Sequence, residues 1–101
     1  MKGFLMRQNA KAIANILKVL ANENRLLILC ALNGCSKTVG EIHEEIPNIS
    51  LSALSQHLMV MRTAGILAAE KSAQFVTYSI ADDRAIEVHN TLKKYYCTGG
   101  C

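Results

Sequence analysis

The sequence predicts a mainly α-helical winged helix-turn-helix with a small β-hairpin, in the order α-α-α-α-β-β-α. Three observations carry this. Hydrophobic residues recur at helical spacing through most of the chain. Two short helical stretches are separated by a turn around Pro47, the only proline. Directly after the second stretch the period changes to two, as in strands, before a last helix. Two helices joined by a short turn, with a hairpin following at once, are the signature of a winged helix-turn-helix. A four-helix bundle with a stray hairpin is the competing reading.

Each element has its own justification. Ile13, Ile16, Leu17 and Leu20 fall at i, i+3, i+4 and i+7, which predicts an amphipathic helix from about Gln8 to Leu20. Asn22 caps a second helix, with Glu23 in its first turn to complement the dipole. That helix runs through Leu26–Leu29 and Leu32, apolar almost all round, and stops at Asn33-Gly34. Thr38 and Glu41 form a capping box for a third, short helix that Pro47 ends. Ser50 begins a fourth, whose buried stripe is Leu54, Leu58 and Met61 and whose stop is Gly65. Ile66, Ala68 and the run Phe75–Ile80 read as two strands joined by Lys71-Ser72-Ala73-Gln74. Asp82 or Asp83 caps a last helix carrying Val88, Leu92, Tyr95 and Tyr96.

Composition bounds the function. With 101 residues the chain, 1–101, is expected to be a single winged helix-turn-helix domain, 98–101 being a frayed tail. Half the residues are hydrophobic and 19% charged, which is globular composition. Eleven Lys/Arg against eight Asp/Glu give a net charge of +3, doubled in a dimer, which suits a polyanionic partner. The longest uncharged run, Ile46 to Met61, contains proline, serines, Gln56 and His57, so no membrane span is expected. Met1–Arg7 lacks the pattern of a secretory signal, so the expected location is the cytoplasm. There is no glycine-rich phosphate loop, no pair of catalytic carboxylates and no Ser/His/Asp set, so an enzyme is not expected.

The fourth helix carries the binding chemistry. At about 100° per residue the buried stripe leaves Ser52, Ala53, Gln56, Met59, Val60 and Thr63 outside, with Ser55 at the edge. The start of that face is uncharged and rich in hydrogen-bonding groups, as base edges require. Gln bonds adenine in two places, and Ser bonds a base or a phosphate. Leu51 is either core or a contact for a thymine methyl. His57 falls near a phosphate or packs as an ordinary histidine. Arg62 and Lys71 supply phosphate charge, Lys71 from the hairpin turn, unless they are simply solvated. Ser50 and Gln74 are counted with the DNA contacts. The partner implied is double-stranded DNA. The acidic third helix (Glu41, Glu44, Glu45) argues mildly against this unless its carboxylates point away.

The segments Leu20–Leu29 and Leu51–Leu58, with Arg62, Gly65 and Tyr78-Ser79-Ile80, closely resemble the ArsR/SmtB family of small dimeric repressors. The resemblance runs from about Ala10 to Cys97. It implies a winged-helix homodimer paired through the first and last helices, bound to an imperfect palindrome in an operator. It places Ser52, Ser55 and Gln56 at the DNA. Leu51 departs from the polar residue often found in the family, which puts the operator sequence in question. The family's metal motifs are missing: no cysteine lies at Val39–Ile42, and Arg84 stands where a histidine would follow Asp82. No metal and no cofactor are expected.

Four cysteines remain: Cys30, Cys35, Cys97 and Cys101. The positions of Cys30 and Cys97 resemble the sulfur- and redox-sensing branch of the family, which implies a dithiol switch. Cys35 and Cys101 are outside that pattern. Cys97 sits at a helix C-terminus, which opposes ionisation, but Lys93 and Lys94 act the other way. Cys97 is therefore expected to be the stronger nucleophile and Cys30 its partner. Bridging requires Cα atoms within about 7 Å. The competing readings are a thiolate sensor of soft metal or arsenite, and a DNA-binding regulator, antirepressors included, with incidental thiols.

Overall fold

In the computed structural model, which describes residues 2–98, five helices and three strands follow one another. They are α1 (Lys2–Leu20), α2 (Glu23–Ala31), β1 (Lys37–Thr38), α3 (Val39–Glu45), α4 (Leu51–Thr63), β2 (Leu67–Ser72), β3 (Phe75–Ile80) and α5 (Asp83–Leu92). A 3₁₀ turn, Lys93–Tyr95, ends α5.

Side chains start α2, α3, α4 and α5 at the expected places. Asn22 Oδ1 accepts from the Asn24 and Arg25 N–H groups, and Asp82 Oδ1 from those of Arg84 and Ala85. Thr38 and Glu41 close both halves of the capping box. Ser50 Oγ accepts from the Ala53 N–H at 3.1 Å. Each such cap contributes about 1 kcal/mol. The end of α4 is a Schellman motif: the Ile66 N–H donates to the Met61 carbonyl and the Gly65 N–H to that of Arg62. Gly65 has φ +79°, a conformation that admits glycine without strain. Met61 and Ile66, brought together by the motif, are both fully buried.

The core gathers Ile16 and Leu20 of α1, Ile28, Leu29 and Leu32 of α2 and its cap, Ile42, the α4 stripe Leu54, Leu58 and Met61, and Leu67. Removing one such side chain, as in Leu54→Ala, costs about 2–5 kcal/mol. The α2 helix is central, but not apolar to the core on every side: Leu27 is 39% exposed.

Four details differ from the sequence expectations. The first helix begins at Lys2 rather than about Gln8; its first ten described residues are exposed, so no buried stripe marks them. A third strand, β1, pairs antiparallel with β3, giving the order β1-β3-β2. The hairpin turn is Ala73-Gln74 alone, because Lys71 and Ser72 pair with Val76 and Phe75 inside the ladder. Lys71 is thus a strand residue, not a turn residue. Finally, Tyr95 and Tyr96 lie beyond α5, in and just after the 3₁₀ turn. The tail expected at 98–101 falls outside the described residues except for exposed Thr98.

Candidate nucleic-acid interface and the cysteine pair

Packing of Leu54, Leu58 and Met61 into the core turns the opposite face of α4 to solvent. Ser52, Ser55, Gln56, Met59 and Arg62 are all exposed, while Ala53 is half-buried. Leu51 is 51% exposed, so it is not a core residue. Ser50 serves as the helix cap and remains exposed. Beside this face stands the hairpin, with Lys71, Gln74, Phe75 and Val76 exposed. A groove of about 440 Å³ runs between the two, lined by Ser55, Gln74, Phe75 and Val76 with the start of α3. Ser55 and Gln74 are therefore brought to one surface.

Two of the three acidic residues of α3, Glu41 and Glu45, have partners. Glu41 accepts the Thr38 N–H at 2.9 Å, and that bond holds its carboxyl below the ordinary value. Glu45 forms an ion pair with Lys37.

His57 faces inward. Its Nδ1 accepts from Arg25 Nε at 3.2 Å, and Arg25 Nη1 donates to the Val19 carbonyl at 3.1 Å. Desolvation, then the Arg25 charge, lower its pKa.

Cys30 and Cys97 are joined by a disulfide, their Cα atoms 5.7 Å apart. Helix α2 carries one and the chain beyond the 3₁₀ turn the other, its N–H donating to the Lys93 carbonyl. A cavity of about 310 Å³ opens beside the bridge, lined by Leu27, Cys30, Ala31, Glu45, Ile46, Tyr96 and Thr98. The Lys94 ammonium, expected to stand by Cys97, lies 5.2 Å over the Tyr95 ring. Cys35 lies after α2 and is half-buried; Cys101 falls outside the described residues.

Among the described residues one polar side chain without an assigned role in the sequence reading is fully buried: His89 of α5 is 1% exposed. Only the final packing of α5 distinguishes it from a surface histidine. Among the described residues no three His, Cys, Asp or Glu side chains gather closely enough to hold a metal ion, and no helix is long and apolar enough to cross a membrane.

Residues 22–69, which span α2 to β2, match the family described as bacterial regulatory protein, arsR family. The HTH-type transcriptional regulator YgaV of Escherichia coli is 37% identical over 92 residues, covering 91% of this chain and 93% of that protein. The chain belongs to the ArsR family. Two solved structures extend the family likeness to the whole fold. Reduced HlyU from Vibrio cholerae superposes with a TM-score of 0.83 at 36% identity, over 92% of this chain and 97% of that one. The transcriptional repressor BigR from Xylella fastidiosa gives 0.81 at 30% identity, over 98% and 100%. As an ArsR-family winged helix-turn-helix, the chain is a transcriptional regulator, and its family is not one of enzymes.

Proposed function

We propose that the protein is a homodimeric repressor that binds an inverted-repeat operator and is released when Cys30 and Cys97 are oxidised. The observation that carries the switch is the pairing of these two cysteines, one on α2 and one beyond α5. The operator reading rests on the exposed, uncharged, hydrogen-bonding start of α4, which suits base edges in a major groove. Ser50, Ser52, Ser55 and Gln56 face bases or nearby phosphates; Arg62, Lys71 and Gln74 hold the backbone. The dimer reading rests on an apolar groove between α1 and α5, lined by Ile13, Leu17, Val88 and Leu92, three of them large exposed hydrophobics. A second copy of the chain covers both helices at once.

The chemistry balances with a polysulfide as oxidant. One cysteine thiolate attacks a sulfur of hydrogen disulfide and expels hydrosulfide. The second cysteine then attacks the persulfide and expels another. Two thiols and one hydrogen disulfide give one protein disulfide and two molecules of hydrogen sulfide. The bridge ties α2, which packs on the recognition unit, to the end of α5 at the dimer groove, and so alters the spacing of the two recognition helices. Couplings of this kind are worth about 1–3 kcal/mol.

The test uses wild type, Cys30→Ser, Cys97→Ser and the Cys35→Ser/Cys101→Ser double variant. Each is titrated with a duplex selected by the reduced wild type from a randomised pool, before and after polysulfide. Wild type and the double variant should lose about 5- to 150-fold in affinity. The single variants should not respond. A response of both single variants equal to that of wild type would refute the switch. Loss of DNA by all four only on addition of a soft metal ion would establish a metal sensor instead.

A further inference from the structure

Besides its buried stripe, α4 is tied to α1 and α2 by one arginine that bonds a histidine ring. Arg25, in α2, donates Nε–H to His57 Nδ1 and Nη1–H to the carbonyl of Val19 near the end of α1. A nitrogen that accepts an N–H bond carries no proton of its own, so the neutral imidazole must bear its hydrogen on Nε2. Among the described residues that Nε2 meets no hydrogen-bonding partner, and it is not sealed from solvent. On α4 His57 lies about 100° round from Gln56, at the rim between the buried stripe and the exposed face. A DNA backbone runs along that rim when the exposed face enters a groove.

We propose that Arg25 is a positioning residue that locks His57 in the Nε2–H tautomer, so that a neutral imidazole donates to a DNA phosphate beside the recognition helix. The proposal rests on the DNA-binding reading above and adds to it a contact of unusual kind. Burial and the neighbouring guanidinium both favour the uncharged ring. A neutral donor displaces no counterion from DNA, whereas Arg62 and Lys71 would. The two sorts of phosphate contact therefore separate in a salt titration. The Val19 bond adds a second role for Arg25. It joins the end of α1 to α4, so the histidine is held in register with both α1 and α2.

The experiment combines nitrogen NMR of the imidazole with salt-dependent titration of the selected duplex. In wild type, His57 Nδ1 should be bare and Nε2 protonated; in Arg25→Met the two tautomers should mix. His57→Ala should weaken binding about tenfold with the salt slope unchanged. His57→Gln, whose amide N–H replaces the Nε2 donor, should recover most of that loss. Losses in Arg25→Met and His57→Ala should be less than additive in the double variant. A proton found on Nδ1 overturns the proposal, as does a salt slope that falls by about one in His57→Ala. If Arg25→Met does not fold, the wild-type tautomer and the His57→Ala and His57→Gln pair decide. If Gln56→Ala weakens binding while His57→Ala does nothing, only this contact is lost and the recognition helix stands. If wild type binds no duplex, both readings fall together.

Discussion

His89 Nδ1 lies 2.7 Å from the Tyr96 hydroxyl, while its Nε2 is buried without a hydrogen-bond partner. The rings meet edge to face, 6.0 Å between centroids. Burial first, and the Lys93 charge second, push the His89 pKa below its ordinary value. Burial also raises that of Tyr96, keeping the phenol protonated.

The sign of the resulting pH dependence follows from linkage. In the unfolded chain histidine protonates near pH 6.5, but in the fold only at lower pH. The neutral ring's contribution is thus intact above 6.5 and is lost as pH falls from there through the folded value. Wild type should lose thermal stability between pH 7 and pH 5, and His89→Gln should lose less. Some dependence should persist from His57, which is shifted the same way. Melting curves across this range check it; identical slopes for the two proteins would contradict a buried neutral His89.

Gln56→Ala should weaken binding to the selected duplex by about 1–3 kcal/mol and relax preference at one base per half-site. Lys71→Ala should weaken all sequences alike and reduce the salt slope by about one. Half-sites should lie about 34–36 Å apart or a multiple of it. Competition with single-base variants of the duplex, repeated at several salt concentrations, distinguishes the two effects.

Ala73 opens the hairpin turn at φ 54°, in the left-handed region where a Cβ is strained. Ala73→Gly removes roughly 1–2 kcal/mol of strain and adds backbone entropy to the unfolded chain, for a net gain of about 0.5 kcal/mol. For a domain of this length that raises Tm by about 2–4 °C. Calorimetry reads it directly, and a lower Tm would show that the alanine is not strained.

Leu17 is 47% exposed in the groove between α1 and α5. Leu17→Glu would place an unpaired carboxylate in the proposed dimer interface and should weaken self-association about 100-fold, with the monomer fold intact. Sedimentation velocity at micromolar protein checks it. Wild type sedimenting as a monomer there would remove the dimer from the proposed function.

The helix starts were legible because their physics is local: the caps of Asn22, Thr38, Ser50 and Asp82 each close within three residues. So was the inner stripe of α4. The strand β1 was not, since two residues show no alternation and their partners, Tyr78 and Thr77, lie far along the chain. The early start of α1 left no trace because those turns bury nothing. Among the functional candidates, the exposure of Ser52, Ser55 and Gln56 followed from helical periodicity. The bond between Arg25 and His57 spans 32 residues, and the burial of His89 follows from how α5 packs, so no local pattern encodes either.

The Cys30–Cys97 bond spans 67 positions and closes a covalent ring. Inside the ring lie α3, α4, the whole hairpin and α5; α1 hangs outside it. A ring of this size removes chain entropy worth about 4 kcal/mol from the unfolded state. The oxidised form is therefore the harder of the two to unravel. If oxidation releases the operator as proposed, the same bond makes the released protein more durable, so a cell keeps its stock of regulator through the stress and need only reduce it to restore binding.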